Sequence, residues 1–362
     1  MAADAQDSAL RAHGGPLAGE LCGLGLAAAD VLDFSVNVNP YGPAPAMRHA
    51  IASARIDLYP DSTALAARIA LAASCGVTAE HLVLGNGGAD LLWTLARLLV
   101  TRGRSVVMVE PTFSEFRAAA VAAGARVVEW RASAQAGFAV GRAALTAVVE
   151  TARACEAAAI YLCAPNNPTG AGVRASDVVA LAERLPRAII VVDQAFLSLS
   201  EHHADAVVDL PDNVVRVRSL TKEHAIPGVR VGYLVAAPAI AAAVEAARPA
   251  WSTGGAAQAA AIASVGLAPF VAESRERMLA DRRALDEALR RLDLAPVPSC
   301  TSYFIVPVGD AAGLRRGLLS RHRILVRDCA SFGLPAHARL AARPADDRER
   351  LLAALHEELP RC

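Results

Sequence analysis

Lysine and arginine together number 36 in this chain of 362 residues, and only one of the 36, Lys222, is a lysine. It stands in SLTKEHAIPGVR, residues 219–230, where the apolar run VVRVRS (214–219) ends. Arginine cannot substitute for a lysine that acts as a nucleophilic amine, because the guanidinium stays protonated. Four more apolar runs end on residues able to do chemistry. HLVLG (81–85) leads into Gly85-Asn86-Gly87-Gly88-Ala89-Asp90, and SVVMVE (105–110) into Glu110-Pro111-Thr112-Phe113. AAIYLCA (158–164) precedes Pro165-Asn166-Asn167-Pro168-Thr169-Gly170, and AIIVVD (188–193) runs into Asp193-Gln194-Ala195-Phe196.

These five ends supply an amine, a carboxylate, an amide, an aromatic ring and a glycine turn that opens a helix. The set fits pyridoxal phosphate. Lys222 would condense with the cofactor's aldehyde as an imine, and Asp193 would keep the pyridine nitrogen protonated, making the ring an electron sink. Backbone N–H groups where Gly88, Ala89 and Asp90 begin a helix would bind the phosphate, with hydroxyls from Ser219 and Thr221 and the guanidinium of Arg230. Each part alone has an ordinary role as turn, helix cap or solvated side chain. Their occurrence together, in this order and at strand ends, is specific.

The apolar runs, with ARVVEW (125–130) and VGYLVA (231–236), alternate with helix-length segments such as 89–100, 114–124 and 176–185. Strands that are apolar throughout and alternate with helices predict a mainly parallel sheet covered on both faces, an α/β fold. Past Trp251 a helical region (256–292) precedes shorter strands, TSYFIVPV (301–308) and RILVRD (323–328), and a last helix near 345–358. This pattern predicts a large cofactor-binding domain over 46–250 and a smaller α+β domain over 251–362. Residues 1–45 complete the smaller domain and cover the site between the two.

Acidic and basic residues balance at 36 each, which argues against a nucleic-acid partner. The seven cysteines (Cys22, Cys75, Cys155, Cys163, Cys300, Cys329 and Cys362) are scattered and read as free thiols in a reducing compartment. MAADAQDSAL at the start lacks the pattern of a signal peptide, no run is long and apolar enough to span a membrane, and the expected location is cytoplasmic. No metal is expected.

Across nearly its whole length the sequence resembles the fold type I family of pyridoxal-phosphate enzymes, in its aminotransferase class I/II branch. The resemblance implies that Lys222 is the imine-forming lysine, Asp193 the partner of the pyridine nitrogen and Asn167 the donor to the cofactor's 3-oxygen. It places Phe113 in the ring-stacking position and Gly88, Ala89, Asp90 and Arg230 on the phosphate. Tyr59, in LYPD, matches a tyrosine that reaches the phosphate of a neighbouring subunit, which implies a homodimer. Two positions depart from the family pattern. Gln194 stands where relatives often have glutamate, and Phe113 where many have tyrosine.

Which bond breaks depends on how the substrate is held. Arg327 and Arg339, in ILVRDCASFGLPAHARLAARP (324–344), are the natural clamps for carboxylate or phosphate. The early His13-Gly14-Gly15, then LDFSVNVNPYGP (32–43), RSLTK and RDCASFGLP resemble threonine-phosphate decarboxylases of cobalamin synthesis more than histidinol-phosphate aminotransferases. By that resemblance His13, Gly14, Ser35 and Asn37 help hold a phosphorylated substrate. The implied reaction is decarboxylation of L-threonine O-3-phosphate to (R)-1-amino-2-propanol O-2-phosphate. The alternative is transamination of the histidinol-phosphate type, or a related reaction on another amino acid.

Overall fold

The computed structural model describes residues 13–100, 102–209 and 211–359. The first twelve residues, on which the expectation about a signal peptide rests, and Cys362 lie outside it. Twelve strands are present among the described residues: β1 (Leu32–Asp33), β2 (Leu82–Gly85), β3 (Ser105–Glu110), β4 (Arg126–Arg131), β5 (Ala159–Cys163), β6 (Ile189–Asp193), β7 (Val214–Ser219), β8 (Gly232–Val235), β9 (Tyr303–Pro307), β10 (Ile324–Leu325), β11 (Arg327–Cys329) and β12 (Leu334–Ala341).

Seven of them form one sheet in the order β2-β8-β7-β6-β5-β3-β4, parallel throughout except for β8, which runs against both neighbours. Side chains alternate across a strand, so β3 sends Val107 and Val109 into one core and Val106 and Met108 into the other. Helices Arg142–Ala154 and Ala175–Arg184 close the first face; Gly88–Leu99, Glu115–Ala122 and Pro238–Ala246 close the second. Burial on both faces explains why these strands are apolar throughout. The parallel strands end together, and their carboxyl ends carry the residues singled out above.

A three-stranded antiparallel sheet, β11-β12-β9, stands apart from the large one, and β1 pairs in parallel with β10. The predicted strand RILVRD is therefore two short strands serving different sheets. The predicted helical region 256–292 is also two elements, Gly255–Val265 and Ala268–Arg290, crossing at 81°. Gly266 follows the first helix, and Pro269 occupies the first turn of the second, where a missing N–H costs nothing. No single described helix is long and apolar enough to cross a membrane.

Residues near the amino terminus are fastened to the carboxyl-terminal part. Leu32 N–H donates to the Arg323 carbonyl at 2.9 Å, Phe34 N–H to Leu325 at 2.8 Å, and Ala341 N–H to Phe34 at 3.0 Å. Phe34 has no solvent exposure and packs with Leu285, Phe304, Val306 and Leu318. Phe34→Ala should therefore cost about 3–5 kcal/mol of stability, read as a lower urea midpoint. A midpoint equal to wild type would show that this docking contributes little.

Candidate active site

A cavity of about 320 Å³ lies at the carboxyl ends of the large sheet. Lys222 opens into it from the four-residue helix Leu220–Glu223 that follows β7. Its carbonyl accepts the Asn39 N–H at 3.0 Å, and the Asn39 side chain donates to the Glu223 carbonyl at 2.9 Å, so the lysine turn is held from outside the sheet. Burial, then the charges of Arg230 and Arg339, push the Lys222 ammonium down to about 8, against an opposing pull from Asp193. At pH 7 about one molecule in ten then carries a neutral amine, against roughly one in 2,500 for an ordinary lysine.

One side of Lys222 forms an anion cup. Gly88 and Ala89 line the cavity where helix Gly88–Leu99 starts, with its free N–H groups and positive dipole end. The Ser219 and Thr221 hydroxyls lie 2.6 Å apart beside it. Arg230 adopts a left-handed backbone (φ 56°), and a Cβ on Gly87 would come within 2.8 Å of its guanidinium. The absence of a side chain at Gly87 leaves room for the guanidinium where it lies. Asp90 does not line the cavity; its carboxylate accepts from Asn86 N–H and from Arg248, both at 3.1 Å.

Asp193 sits at the deep end of β6, 4% exposed. Burial pushes its carboxyl up from the usual value, while the Ala195 N–H and Tyr161 hydroxyl, each 3.0 Å away, and the charge of Lys222 pull it back. Asn167 and Phe113 line the same space. A phosphate cup, an amine, a buried carboxylate and a ring thus share one cavity, and these residues fit the shape and charge of pyridoxal phosphate.

At the other end β11 and β12 place Arg327 directly opposite Arg339. Like charges at opposed positions repel, yet both are buried, 6% and 4% exposed. Arg339 donates to Asn167 Oδ1 and to the Ser35 carbonyl, its Nε has no partner among the described residues, and burial pushes it down to about 10. Arg327 donates to Ser331 Oγ at 2.6 Å. Gly14 lies so close that a Cβ there would sit 2.3 Å from the Ser35 carbonyl oxygen. Asn37, 4% exposed in the cavity wall, has neither amide atom paired among the described residues. His13 also lines the cavity.

The structure thus brings together every predicted site residue except Asp90 and Tyr59. Tyr59 is 82% exposed and stacks on Trp251 with centroids 4.8 Å apart, away from its own chain's cavity. Sequence reasoning passed over Tyr161, an apolar strand residue by its setting. It also passed over Asn166, whose amide braces Pro111 O at 2.8 Å and Thr169 Oγ1 at 2.9 Å, tying the Phe113 turn to the Asn167 turn. Where relatives often have a carboxylate, the Gln194 carbonyl accepts from Arg218 Nε at 3.1 Å.

A family model described as aminotransferase class I and II matches residues 29–356. The chain belongs to that family. It is 34% identical over 339 residues to histidinol-phosphate aminotransferase of Symbiobacterium thermophilum, covering 91% of each chain. It is 32% identical over 345 residues to histidinol-phosphate aminotransferase 2 of Ralstonia nicotianae, covering 92% of this chain and 90% of that one. The solved histidinol-phosphate aminotransferase of Sinorhizobium meliloti, in complex with pyridoxal-5'-phosphate, matches with TM-score 0.83 at 27% identity, over 93% of this chain and 92% of that one. L-threonine-O-3-phosphate decarboxylase of Porphyromonas gingivalis shares the fold, with TM-score 0.78 at 23% identity over 90% and 99% of the two chains. The class I/II enzyme described here therefore uses pyridoxal phosphate. The relatives' names favour the aminotransferase alternative over the decarboxylase expected from the sequence.

Because Lys222 is the sole lysine, an amine-directed acylating reagent followed by peptide mapping reports on it alone. In cofactor-free protein its labelling rate should climb with pH, reach half its maximum near pH 8 and level off above that. A rate still climbing at about pH 10, as for ordinary lysine, would contradict the lowered value.

Proposed function

We propose that this enzyme acts at the amino-bearing carbon of a small amino compound that carries a phosphate. The carrying observation is the opposed, buried pair Arg327 and Arg339 at the far end of the cavity from the phosphate cup. Arg327 and Arg339 stand at opposed register positions in the cavity wall, and each guanidinium can grip an anion bidentately. His13 and the Asn37 amide, which has no partner among the described residues, line the same cavity and can add polar contacts.

Bound pyridoxal phosphate supplies an electron sink for the pair released from a bond at the substrate's α-carbon. The chain's residues decide the rest. Asp193 would hold the pyridine nitrogen with its carboxyl group, while Asn167 would supply an amide donor and Phe113 an apolar face. Lys222, with an amine neutral in a useful fraction of molecules, takes or returns a proton beside the reacting carbon. The anion grip would set how the substrate's amino-bearing carbon is presented, and so which of its bonds breaks.

Two reactions suit this arrangement, each with one observation behind it. The names of relatives at 32–34% identity support transamination of histidinol phosphate with 2-oxoglutarate, the better supported reading by likeness. Decarboxylation of L-threonine O-3-phosphate is favoured by the seating of His13, Gly14 and Ser35 in the wall beside Arg339, since this segment carries the decarboxylase resemblance. In that reaction CO2 leaves, the α-carbon takes up a proton, and the two anionic groups of the substrate match two arginines. The exposed Tyr59, with Ile56 (94% exposed) and Leu58 (60%), supports a homodimer in which Tyr59 serves the partner's site. A cytoplasmic location accompanies this proposal.

Holoenzyme given histidinol phosphate and 2-oxoglutarate should form glutamate, or, given L-threonine O-3-phosphate, should release CO2; whichever product forms assigns the reaction. Arg327→Gln should raise KM for that substrate roughly 10- to 150-fold, the worth of about 1.5–3 kcal/mol of charge-assisted bonding. Turnover of unphosphorylated amino acids alone would overturn the proposal.

A further inference from the structure

Three separate stretches meet at the rim of the cavity. Trp93 lies on helix Gly88–Leu99, whose first turn belongs to the anion cup. Glu115 opens helix Glu115–Ala122, two residues after Phe113. His13 belongs to the amino-terminal segment. Glu115 Oε1 lies 2.8 Å from His13 Nε2, while Glu115 Oε2 accepts the Trp93 indole N–H at 2.6 Å. The imidazole sits 5.6 Å from the Phe113 ring, tilted by 39°. The Glu115 side chain is 14% exposed and that of His13 47%, so the acid is the anchored partner of the pair.

Glu115 and Asp193 are the carboxylates among the described residues of the cavity wall, beside Arg218, Lys222, Arg230, Arg327 and Arg339. A loose carboxylate at this rim would repel an anionic substrate. Here each oxygen is engaged by a nitrogen from a different element, which directs the acid away from the substrate and fixes its place. Its own helix start also favours the charge.

We propose that Glu115 is a positioning residue for substrate recognition: braced by Trp93, it latches His13 over Phe113 at the rim, where the imidazole meets the anionic end of the substrate. The inference rests on the reading that the site takes a phosphorylated amine. It assigns Glu115 no contact with the reacting atoms, and places its effect in binding rather than in bond breaking. Glutamine at this position can still accept from Trp93 while donating to His13, so the latch depends on geometry more than on charge.

The test uses holoenzyme and His13→Ala, Glu115→Ala, Glu115→Gln and the double alanine variant. With the phosphorylated substrate that wild type turns over, each single alanine variant should raise KM about tenfold with kcat within about twofold, and the double variant should be no worse than either single one. Glu115→Gln should stay within about threefold of the wild-type KM. Independently of any substrate, diethyl pyrocarbonate should modify His13, followed by peptide mapping, about tenfold faster in Glu115→Ala than in wild type. Additive losses in the double variant, a Glu115→Gln variant as impaired as Glu115→Ala, or unchanged His13 labelling would each overturn the latch. Faster His13 labelling in an enzyme that turns over no phosphorylated amine would leave the latch standing and remove the proposed substrate instead.

Discussion

A guanidinium sunk almost entirely in protein, that of Arg339, joins pieces of the chain that lie far apart in sequence. It donates to the Ser35 carbonyl in the amino-terminal segment and to the Asn167 amide in the loop after β5, and it stands opposite Arg327 on β11. Removing such a charge from water costs several kcal/mol unless hydrogen bonds and counter-charge recover it. Two neutral oxygens recover part, and Nε has no partner among the described residues. The Gly14 backbone fits beside that guanidinium, and Asn37 lines the same cavity.

The cofactor half and the substrate half of the cavity arise from different physics. Cup, lysine and carboxylate stand at the ends of parallel strands, and their placement follows mainly from sheet geometry, with Asn39 bracing the lysine turn from outside. The substrate half needs β11, β12 and the segment from His13 to Asn39, joined across more than 300 residues of sequence. Likeness over the whole chain therefore speaks firmly about cofactor and fold. It speaks less firmly about the reaction, because that choice rests on a few anchoring contacts.

The same division governs what could be read from the sequence. Strands such as SVVMVE and AIIVVD were legible because burial on both faces makes them apolar throughout, and Lys222, Asp193 and Asn167 because they follow such runs directly. β12 was not recognised as a strand: LPAHARLA has a proline at its second residue, and His337 and Arg339 put polar side chains on the face opposite the core residues Ala338 and Leu340. β1 is two residues long and has no period to detect. Tyr161 looks apolar until Asp193 is placed beside it, and Glu115 looks like a surface acid until Trp93 and His13 converge on it. The Asp90 side chain, by contrast, turns to Arg248, which leaves only its backbone, in the first turn of helix Gly88–Leu99, for the expected phosphate role.

The fastening of β1 to β10, and of Phe34 to Ala341, bears on how the protein is made. A ribosome releases the amino-terminal segment first, yet the strands that receive it are encoded near the other end of the chain. Once β8 (Gly232–Val235) is made, all strands of the large sheet and Lys222 are present and Asn39 can reach the lysine turn, while Leu32 and Phe34 still lack β10 to pair with. A nascent chain that stalls before β10 would thus be able to capture cofactor but have no means of choosing a substrate. Selectivity is the last property this polypeptide acquires.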